Sequence, residues 1–375
     1  MMKARYFLCI VFYVMIFSLK DGFSVDKKIF YESIGQKFRY EVLLQQYDVI
    51  WGFDFLSSDK IIFTQRSGKI NTFDLKTKIV TSIGGAPAVW HSGQGGLLDI
   101  KVHPLNPLKI YMTYCEPVGK LATTALASAM LSENKLMDFK KLFVAHEPND
   151  NKIHFGSRIE FDGKGHLFVT IGDRDERSHV QDLAYHTGKI IRLKDDGSVP
   201  SDNPFIKTKG ARPEIWSLGH RSPQGLVRHP TTGDVWMSEM GPRGGDEINL
   251  IKPGLNYGWP VVTYGREYYG LKIGEGTSKQ GMEGPVVYWV PSISPSGMTI
   301  YNGEVFPKWK GDLFIGNLSG KHLRRLVLEG GKVKSQEELL NDLKLRIRNV
   351  RSGPDGLLYF STDDGKLARL VPFKN

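Results

Sequence analysis

The sequence predicts an all-β protein, a six-bladed β-propeller of four-stranded antiparallel blades. Three observations indicate this fold. A turn followed by a β-rich run recurs six times, stretches with a helical period are rare, and strands near the two ends of the folded region could complete one blade together. A β-sandwich pair is the alternative that these observations leave open.

The repeated unit is a polar turn, usually with Gly or Pro beside Asp or Lys, followed by a short run of β-branched and aromatic residues. A small or polar residue ends each run, which lets the strand end close to a neighbouring backbone. The spacing of the units is too long for a solenoid and suits four-stranded blades with inserted loops. The six runs are 61–64, 110–113, 167–170, 235–238, 313–316 and 358–361.

Helical periodicity is weak throughout. The best candidate is 335–344, and 121–136 is ambiguous. Closure of the ring has better candidates, because the run 366–371 and an early strand at 38–44 could share one blade. That pairing would remove the free edges that an open sheet exposes.

The N-terminus predicts export. Lys3 and Arg5 precede an apolar run at 6–19, and small polar residues follow at 22–24. This pattern predicts a signal peptide at 1–24, a single propeller domain at 25–375, and a secreted or periplasmic protein. An uncleaved anchor helix is the alternative. No later apolar stretch has membrane length, so we expect no stable membrane insertion after cleavage.

The cysteine content and the net charge limit which disulfides and which binding partners we expect. Of the two cysteines, Cys9 lies in the predicted signal, so Cys115 is left without an intramolecular disulfide. The formal net charge is +10, with 50 Lys and Arg against 40 Asp and Glu. No dense basic block with interleaved aromatics is present, so we expect no nucleic-acid partner. A positive field favours a small polyanionic ligand, although ordinary solubility charge explains it equally well.

Glycine-rich loops supply the first candidate site residues. Three glycines surround Gln94, so the backbone could bring its amide close to a flat ligand; a plain turn is the alternative. His154 ends a polar stretch, and Asp173 ends a repeat strand. A carboxylate beside an imidazole fixes its tautomer and makes it a better base, whereas a lone loop histidine is more often structural.

Three further segments carry charge. Arg221 offers a planar donor fork for a carboxylate or carbonyl, or binds loop carbonyls structurally. Asp246 and Glu247 lie in a glycine-rich loop that could provide oxygen ligands for calcium, or form only an acidic turn. Arg346 and Arg348 would share one face of a strand and attract an anion, unless the strand is simply exposed and basic.

Four longer motifs, together with these loops, resemble the soluble PQQ-dependent aldose sugar dehydrogenases, where PQQ is pyrroloquinoline quinone. The motifs are GHRSPQGL at 219–226, GPRGGDEINLI at 241–251, NYGWPVVTYGREY at 256–268 and RIRNVRSGPDG at 346–356. The resemblance extends from about residue 49 to residue 370 and independently implies the six-bladed propeller.

The resemblance implies a reaction and its residues. His154 would take the proton of the anomeric hydroxyl, Asp173 would orient His154, and Arg221 would polarise a quinone carbonyl of PQQ as it accepts hydride. The product would be the lactone, and the electrons would pass to an external acceptor. The cofactor-binding positions implied are Gln94, Arg221, Ser222, Lys321, Arg346 and Arg348. The calcium positions implied are Gly241 and Pro242 for the cofactor ion, and Glu247 and Tyr257 for a structural ion.

The chain departs from the family pattern at three positions. Ser222 stands where Asn is usual, Ser319 where some members have a cofactor-binding Lys, and Asn349 where Asp is usual; Lys321 is the candidate substitute for the missing lysine. These departures bear on cofactor affinity and substrate range. Two other readings stay open, a calcium-dependent lactonase-type hydrolase and a catalytically silent binding propeller. The oligomer expected is a monomer or a homodimer.

Overall fold

A computed structural model describes residues 30–373, and the predicted signal peptide lies outside these residues. The described chain forms six antiparallel sheets and three short 3₁₀ helices at Arg177–His179, Pro307–Trp309 and Asn341–Leu343. None of the helices within 30–373 is long and apolar enough to cross a membrane.

The strands follow one another in chain order with little else between them. They are β1 (Tyr31–Ser33), β2 (Gln36–Leu44), β3 (Ile50–Ser57), β4 (Lys60–Gln65), β5 (Lys69–Asp74), β6 (Val80–Ile83), β7 (Leu97–His103), β8 (Asn106–Val118), β9 (Leu121–Ser132), β10 (Lys135–Val144), β11 (Gly156–Phe161), β12 (His166–Ile171), β13 (Lys189–Lys194), β14 (Ile215–Leu218), β15 (Pro223–Arg228), β16 (Val235–Glu239), β17 (Asp246–Ile251), β18 (Val287–Trp289), β19 (Pro295–Ile300), β20 (Leu313–Asn317), β21 (Leu323–Glu329), β22 (Lys332–Leu339), β23 (Ile347–Ser352), β24 (Leu358–Thr362) and β25 (Leu367–Pro372).

The sheets are the blades of a six-bladed propeller, which confirms the predicted fold class. Blades 1 to 5 are β3–β6, β7–β10, β11–β14, β15–β18 and β19–β22, and blade 6 has the order β23-β24-β25-β2-β1. The innermost strands β3, β7, β11, β15, β19 and β23 contact one another around the central channel. Buried aromatic and aliphatic side chains fill the space between adjacent blades. For example, the ring of Trp309 in blade 5 packs edge-on against the ring of Phe38 in blade 6, with the ring centroids 5.3 Å apart.

Each of the six predicted runs lies in the second strand of a blade: β4, β8, β12, β16, β20 and β24. The preceding turn brings the chain back from the innermost strand. Neighbouring blades cover both faces of these strands, so their buried residues do not alternate with exposed ones. Short continuous apolar runs are therefore the sequence signal of this layer.

The predicted closure of the ring is confirmed. β2 pairs with β25, with Tyr40 opposite Leu370 and Val42 opposite Ala368. The N-terminal strands therefore complete a blade that begins at the C-terminal end of the chain. Neither ambiguous segment is α-helical, because 121–136 forms β9 and the start of β10, and 335–344 forms the end of β22 and a 3₁₀ turn.

A buried arginine fills the channel and links four blades to its own. Arg158 of β11 donates from Nε to the Gln224 carbonyl at 2.6 Å and from Nη2 to the Arg348 carbonyl at 2.9 Å. Its Nη1 reaches Asp99 at 3.2 Å, and its guanidinium lies 4.0 Å from the Trp51 ring centre. Burial lowers the pKa of Arg158 to about 10, with the Asp99 charge opposing the shift.

Two kinds of loop meet at one end of the propeller. Because adjacent strands are antiparallel, the loops that enter each innermost strand and the loops between second and third strands lie at the same end of the blades. Gln94, His154 and Arg221 belong to the first kind, and Asp173 and Gly241 to the second. The predicted site residues, scattered in sequence, are thereby brought to one face.

Candidate active site

A cavity of about 300 Å³ opens at this face of the propeller. Seven of the residues predicted from the sequence line it: Gln94, His154, Arg221, Gly241, Pro242, Arg346 and Arg348. The alternatives of isolated turns and of an exposed basic strand do not describe these residues, because all seven share one concave surface.

A histidine–carboxylate pair forms one wall. Nδ1 of His154 lies 2.7 Å from Oδ1 of Asp173, and both side chains are buried. An ionised carboxylate only accepts hydrogen bonds, so Nδ1 carries the proton and Nε2 keeps its lone pair. The His154 backbone has a φ of 53° and donates its N–H to Oε1 of Gln94 at 2.8 Å. A Cβ at residue 172 would lie 1.9 Å from the His154 carbonyl oxygen, so Gly172 permits the two loops to meet.

Trp259 holds the other oxygen of the same carboxylate. Its indole Nε1 donates to Oδ2 of Asp173 at 2.7 Å, and the Asp175 N–H donates to Oδ1 at 2.9 Å. Burial alone would raise the pKa of Asp173, but the hydrogen bond to His154 and the nearby positive charges, including Arg221, outweigh it and hold that pKa below its ordinary value. The carboxylate therefore stays ionised and fixed.

The connection from β17 to β18 delivers this tryptophan. After Ile251 the chain runs alongside β14, with Gly254 donating to the Trp216 carbonyl and Trp259 to the Gly219 carbonyl. Sequence reasoning assigned no role to Trp259, although its motif was part of the family resemblance. The contact joins positions 86 residues apart, and no local pattern predicts it.

Arg221 lines the same cavity and belongs to a different loop, the one that precedes β15. Its Nη1 donates to the carbonyls of Met240 and Gly241 at 3.0 and 2.9 Å, and its backbone N–H donates to Glu239 at 2.7 Å. Nη1 of Arg221 therefore has the structural role that the sequence left open, the binding of loop carbonyls. Its Nε is buried without a hydrogen-bond partner.

The cavity is cationic. Arg66, Arg221, Arg346 and Arg348 line it, against Asp363 as the acidic residue. Asp363 pairs with Arg346 at 3.0 Å and with Arg348 at 2.7 Å, so both arginines point the same way, as strand alternation predicts. The sequence reasoning missed Arg66, whose Nε is also buried and unpaired. Arg66 follows repeat strand β4, as Asp173 follows repeat strand β12. This shared position is a sequence signal that could have identified Arg66 as a site residue.

Two predicted cofactor-binding residues do not line the cavity. Ser222 is buried, and its Oγ accepts from Nε2 of Gln224 at 3.3 Å. Lys321 is exposed and adopts a left-handed φ of 55°. At the position of the missing lysine, Oγ of Ser319 instead lies 2.8 Å from Oγ of Ser294, which does line the cavity. The expected substitution of Lys321 for that lysine is therefore not seen.

A second cavity, of about 10 Å³, adjoins the first and is lined by Glu239, Glu247, Tyr257 and Thr263 along with Arg221 and Gly241. Nδ2 of Asn249 bridges the two glutamates at 3.0 and 3.2 Å. Desolvation, and then the charge of Glu239, raises the pKa of Glu247 well above its usual range. Carboxylates crowded in this way favour a neighbouring cation.

Asp246 does not share this role. Its carboxylate accepts from Gly241, Ser292, Ile293 and Ser294, so it holds together segments that line the large cavity, and Asp246 does not line the small one. Within residues 30–373, no group of three or more His, Cys, Asp or Glu has a metal-binding arrangement. A cation in the small cavity would thus depend on carbonyl and hydroxyl oxygens as well as the two glutamates.

The fold and the site define a six-bladed propeller with a cationic cavity at one face, and similarity to known proteins identifies the family. Residues 47–369 match the model of the family described as Glucose / Sorbosone dehydrogenase, and the chain belongs to that family. It is 42% identical over 343 residues to the aldose sugar dehydrogenase YliI of Escherichia coli K12, covering 88% of this chain and 92% of that protein.

Solved structures agree. The soluble aldose sugar dehydrogenase of E. coli in its apo form has a TM-score of 0.87 at 40% identity, covering 90% of this chain and all of that one. The PQQ-bound aldose sugar dehydrogenase of Streptomyces coelicolor has a TM-score of 0.74 at 26% identity, covering 90% and 98%. The predicted family and the predicted class, an oxidoreductase acting on sugars, are confirmed.

Proposed function

We propose that this protein oxidises aldose sugars at the anomeric carbon to the lactone, with PQQ and calcium as cofactors. The observation that carries the proposal is the shared cavity: the His154–Asp173 pair and Arg221 face one cationic space. The family membership and the PQQ-bound structural relative support it.

The residues present fit PQQ, a flat molecule with three carboxylates. Four arginines line the cavity, and two of them, Arg66 and Arg221, have a buried Nε without a partner. A buried N–H donor left unpaired is costly, so these groups call for an anionic ligand. When bound, PQQ supplies the carbon that accepts the hydride of the substrate.

His154 handles the proton. With Nδ1–H donated to Asp173, Nε2 accepts the proton of the anomeric hydroxyl while the anomeric C–H bond gives up its hydride and a carbonyl forms. Asp173 stabilises the imidazolium that results, and its contacts to Trp259 and Asp175 keep it from moving. Arg221 adds a fixed positive charge to the cavity. This charge stabilises the negative charge that develops there during hydride transfer.

Calcium fits the carbonyl and carboxylate oxygens that the two cavities offer. The carbonyls of Gly241 and Pro242 would hold the cofactor ion, and Glu247 with the Tyr257 carbonyl would hold a structural ion in the small cavity beside Glu239. Carbonyl and carboxylate oxygens are the ligands that calcium prefers. The Gly241 carbonyl already accepts from Arg221 and retains a second lone pair.

Reconstitution tests the proposal. Purified protein stripped by a chelator is supplied with calcium and PQQ, then with glucose and a dye acceptor. We expect dye reduction that requires both additions and is lost in His154→Ala. The matched control is His166→Ala, because His166 also pairs with an aspartate, Asp162, at 2.8 Å but is the first residue of β12, at the other end of the blade.

The other readings have distinct outcomes in the same assay. Hydrolysis of a lactone without PQQ would identify the hydrolase, and neither activity would identify a silent binding propeller. We also propose that residues 1–24 are removed on export and that an external acceptor takes the electrons. Mass spectrometry of the chain from an exporting bacterial host tests the cleavage, and recovery of the intact N-terminus would contradict it.

A further inference from the structure

A buried guanidinium connects the two loops that carry the histidine–carboxylate pair. Arg174 directly follows Asp173 in the chain, is 2% exposed and does not line the catalytic cavity. Its Nε donates to the Ile153 carbonyl and its Nη1 donates to the Ala122 carbonyl, each at 3.0 Å. Burial lowers the pKa of Arg174 to about 10, so the side chain still carries its charge at neutral pH. Arg174 therefore joins the loop of Asp173 to the residue that precedes His154.

The same guanidinium holds the polar stretch that leads into His154. Its Nη2 donates to Oδ1 of Asn149 at 2.7 Å and to the Asn151 carbonyl. In return, Nδ2 of Asn151 donates to the Arg174 carbonyl at 2.8 Å. A planar guanidinium, with donors on three nitrogens, can reach four acceptors spread around it, whereas a single ammonium group cannot. These contacts bind residues 149–153 to the loop of Asp173.

The residue that follows His154 is held as well. The guanidinium of Arg174 lies 3.7 Å from the centre of the Phe155 ring, a cation–π contact between two buried groups. His154, Arg174 and Asp175 all have left-handed backbones, with φ values of 53°, 50° and 60°. Such conformations are costly for residues other than glycine and persist only where surrounding contacts hold them. The contacts of Arg174 to both chain neighbours of His154 provide that restraint.

We propose that Arg174 is a positioning residue for proton transfer, which holds the imidazole of His154 at hydrogen-bonding distance from Asp173 and touches neither sugar nor cofactor. The inference rests on the proposed function, because the proton transferred is that of the anomeric hydroxyl. A displacement of about 1 Å in a reacting group costs about 10²-fold in rate, even when the change that causes it is remote from the chemistry. Arg174 therefore affects the rate of the reaction and not only the stability of the fold.

A purely structural role is the alternative, and blade 3 contains a matched example of one. Arg192 of β13 is also buried, and its guanidinium lies 4.7 Å from the centre of the Trp216 ring. Its Nη1 donates to Asp202 at 2.9 Å, and its Nη2 lies 3.1 Å from Nδ1 of His166, at the end of the blade opposite the cavity. Arg192→Met therefore removes a comparable guanidinium, stacked on an aromatic ring, that is remote from His154.

The first test measures rate and cofactor affinity. Arg174→Met keeps an unbranched side chain beside Phe155 and removes every donor. We expect kcat for glucose to fall about 10- to 100-fold in Arg174→Met, while the Kd of PQQ stays within about twofold because Arg174 does not line the cavity. Arg174→Lys retains the charge and one donor group, so it should recover part of the loss.

The control in this test is Arg192→Met, which should keep the wild-type kcat. A wild-type kcat in Arg174→Met, or equal losses of kcat in Arg174→Met and Arg192→Met, would overturn the proposal. Urea unfolding shows whether each variant is folded. If Arg174→Met does not fold, Arg174→Lys compared with Arg192→Lys provides the same contrast.

A spectroscopic measurement on the cofactor-free protein separates this proposal from the proposed function. A proton held between an imidazole nitrogen and a carboxylate gives a downfield resonance that exchanges slowly with water. In protein with isotope-labelled histidine, the resonance of His154 is the one that His154→Ala lacks. We expect this resonance in the wild type and in Arg192→Met, and we expect it to shift upfield or disappear in Arg174→Met.

The outcomes of the two tests are distinct. An unchanged resonance in folded Arg174→Met overturns the positioning role even if glucose is oxidised. A wild type without the resonance also overturns it, because Asp173 would then not hold that proton. Loss of the resonance in Arg174→Met alone, in a protein that oxidises no sugar, refutes the proposed function and supports the role of Arg174 in holding His154 against Asp173.

Discussion

Asp173→Asn is the substitution that the site geometry tests most sharply. Asp173 accepts from His154 Nδ1 and the Asp175 N–H at Oδ1, and from Trp259 Nε1 at Oδ2. An amide of the same shape has one acceptor and one donor end. If the NH₂ group of the substituted amide faces His154, Nδ1 of His154 must accept its hydrogen bond. The imidazole proton then moves to Nε2, which loses the lone pair that it needs to act as the base. If it faces Trp259, two donors point at each other.

The expected loss follows from these contacts. A hydrogen bond to a charged group contributes about 1.5–3 kcal/mol, which corresponds to roughly 10- to 150-fold in rate at 1.36 kcal/mol per tenfold. Loss of the correct imidazole tautomer removes much of the contribution of a general base, about 10²- to 10⁴-fold. We therefore expect kcat for glucose to fall by at least 10²-fold in Asp173→Asn.

The assay is steady-state dye reduction with saturating calcium and PQQ, together with a titration of PQQ binding. We expect kcat to fall while PQQ affinity changes little, because the arginines that would hold the cofactor are untouched. Asp162→Asn is the matched control, since it disturbs the His166 pair at the far end of the blade. A kcat for Asp173→Asn within twofold of the wild type would refute the assignment of His154 as a base oriented by Asp173.

Three further substitutions test the remaining contacts. Trp259→Phe removes a donor that favours ionised Asp173, so it raises the pKa of Asp173. A carboxyl whose pKa is lowered by folding stabilises the fold above its unfolded-state pKa, and that stabilisation is lost as the pH falls through the folded-state pKa. Urea unfolding should therefore show a loss of about 1.5–3 kcal/mol at pH 7, and the difference from the wild type should narrow only as the pH falls below about 4. Arg158→Met leaves the buried Asp99 charge without its closest cationic partner and should cost about 3–5 kcal/mol in the same assay. Arg39→Met on the exposed face of β2 should stay within about 0.5 kcal/mol, and similar costs for both substitutions would contradict the channel role of Arg158. We expect calcium to raise the Tm of the wild type and expect Glu247→Gln to lose that rise. An equal rise in the variant would place the ion elsewhere.

The repeat pattern predicted the fold because all six copies occupy the same place, the second strand of a blade. The second strand of each blade is covered on both sides, which demands short apolar runs, and it follows a tight turn, which demands glycine, proline or aspartate. Both signals are local in sequence. The pairing of β2 with β25 was predictable for a different reason: a ring leaves no free edge only if its two ends meet.

Site residues were predictable where the pattern that marks them lies within a single loop or strand. Glycine-rich loops marked Gln94, and strand alternation placed Arg346 and Arg348 on one face. The contact from Trp259 to Asp173 was not predictable, because it depends on how the 35-residue connection between β17 and β18 folds back over blade 3. The position of Lys321 was not predictable for a related reason. Its nearness to Ser319 in sequence does not determine where its side chain lies, and Lys321 is exposed and does not line the cavity.

The central claim is that His154 takes a proton while the anomeric carbon loses hydride in a cavity filled by PQQ. Single-turnover reduction of the PQQ- and calcium-loaded protein by glucose, compared with glucose carrying deuterium at the anomeric carbon, measures that step directly. We expect one PQQ bound per chain, a several-fold slower reduction with the deuterated sugar, and no reduction in His154→Ala. Failure to bind PQQ, or equal rates for both sugars with His154→Ala as active as the wild type, would contradict the account.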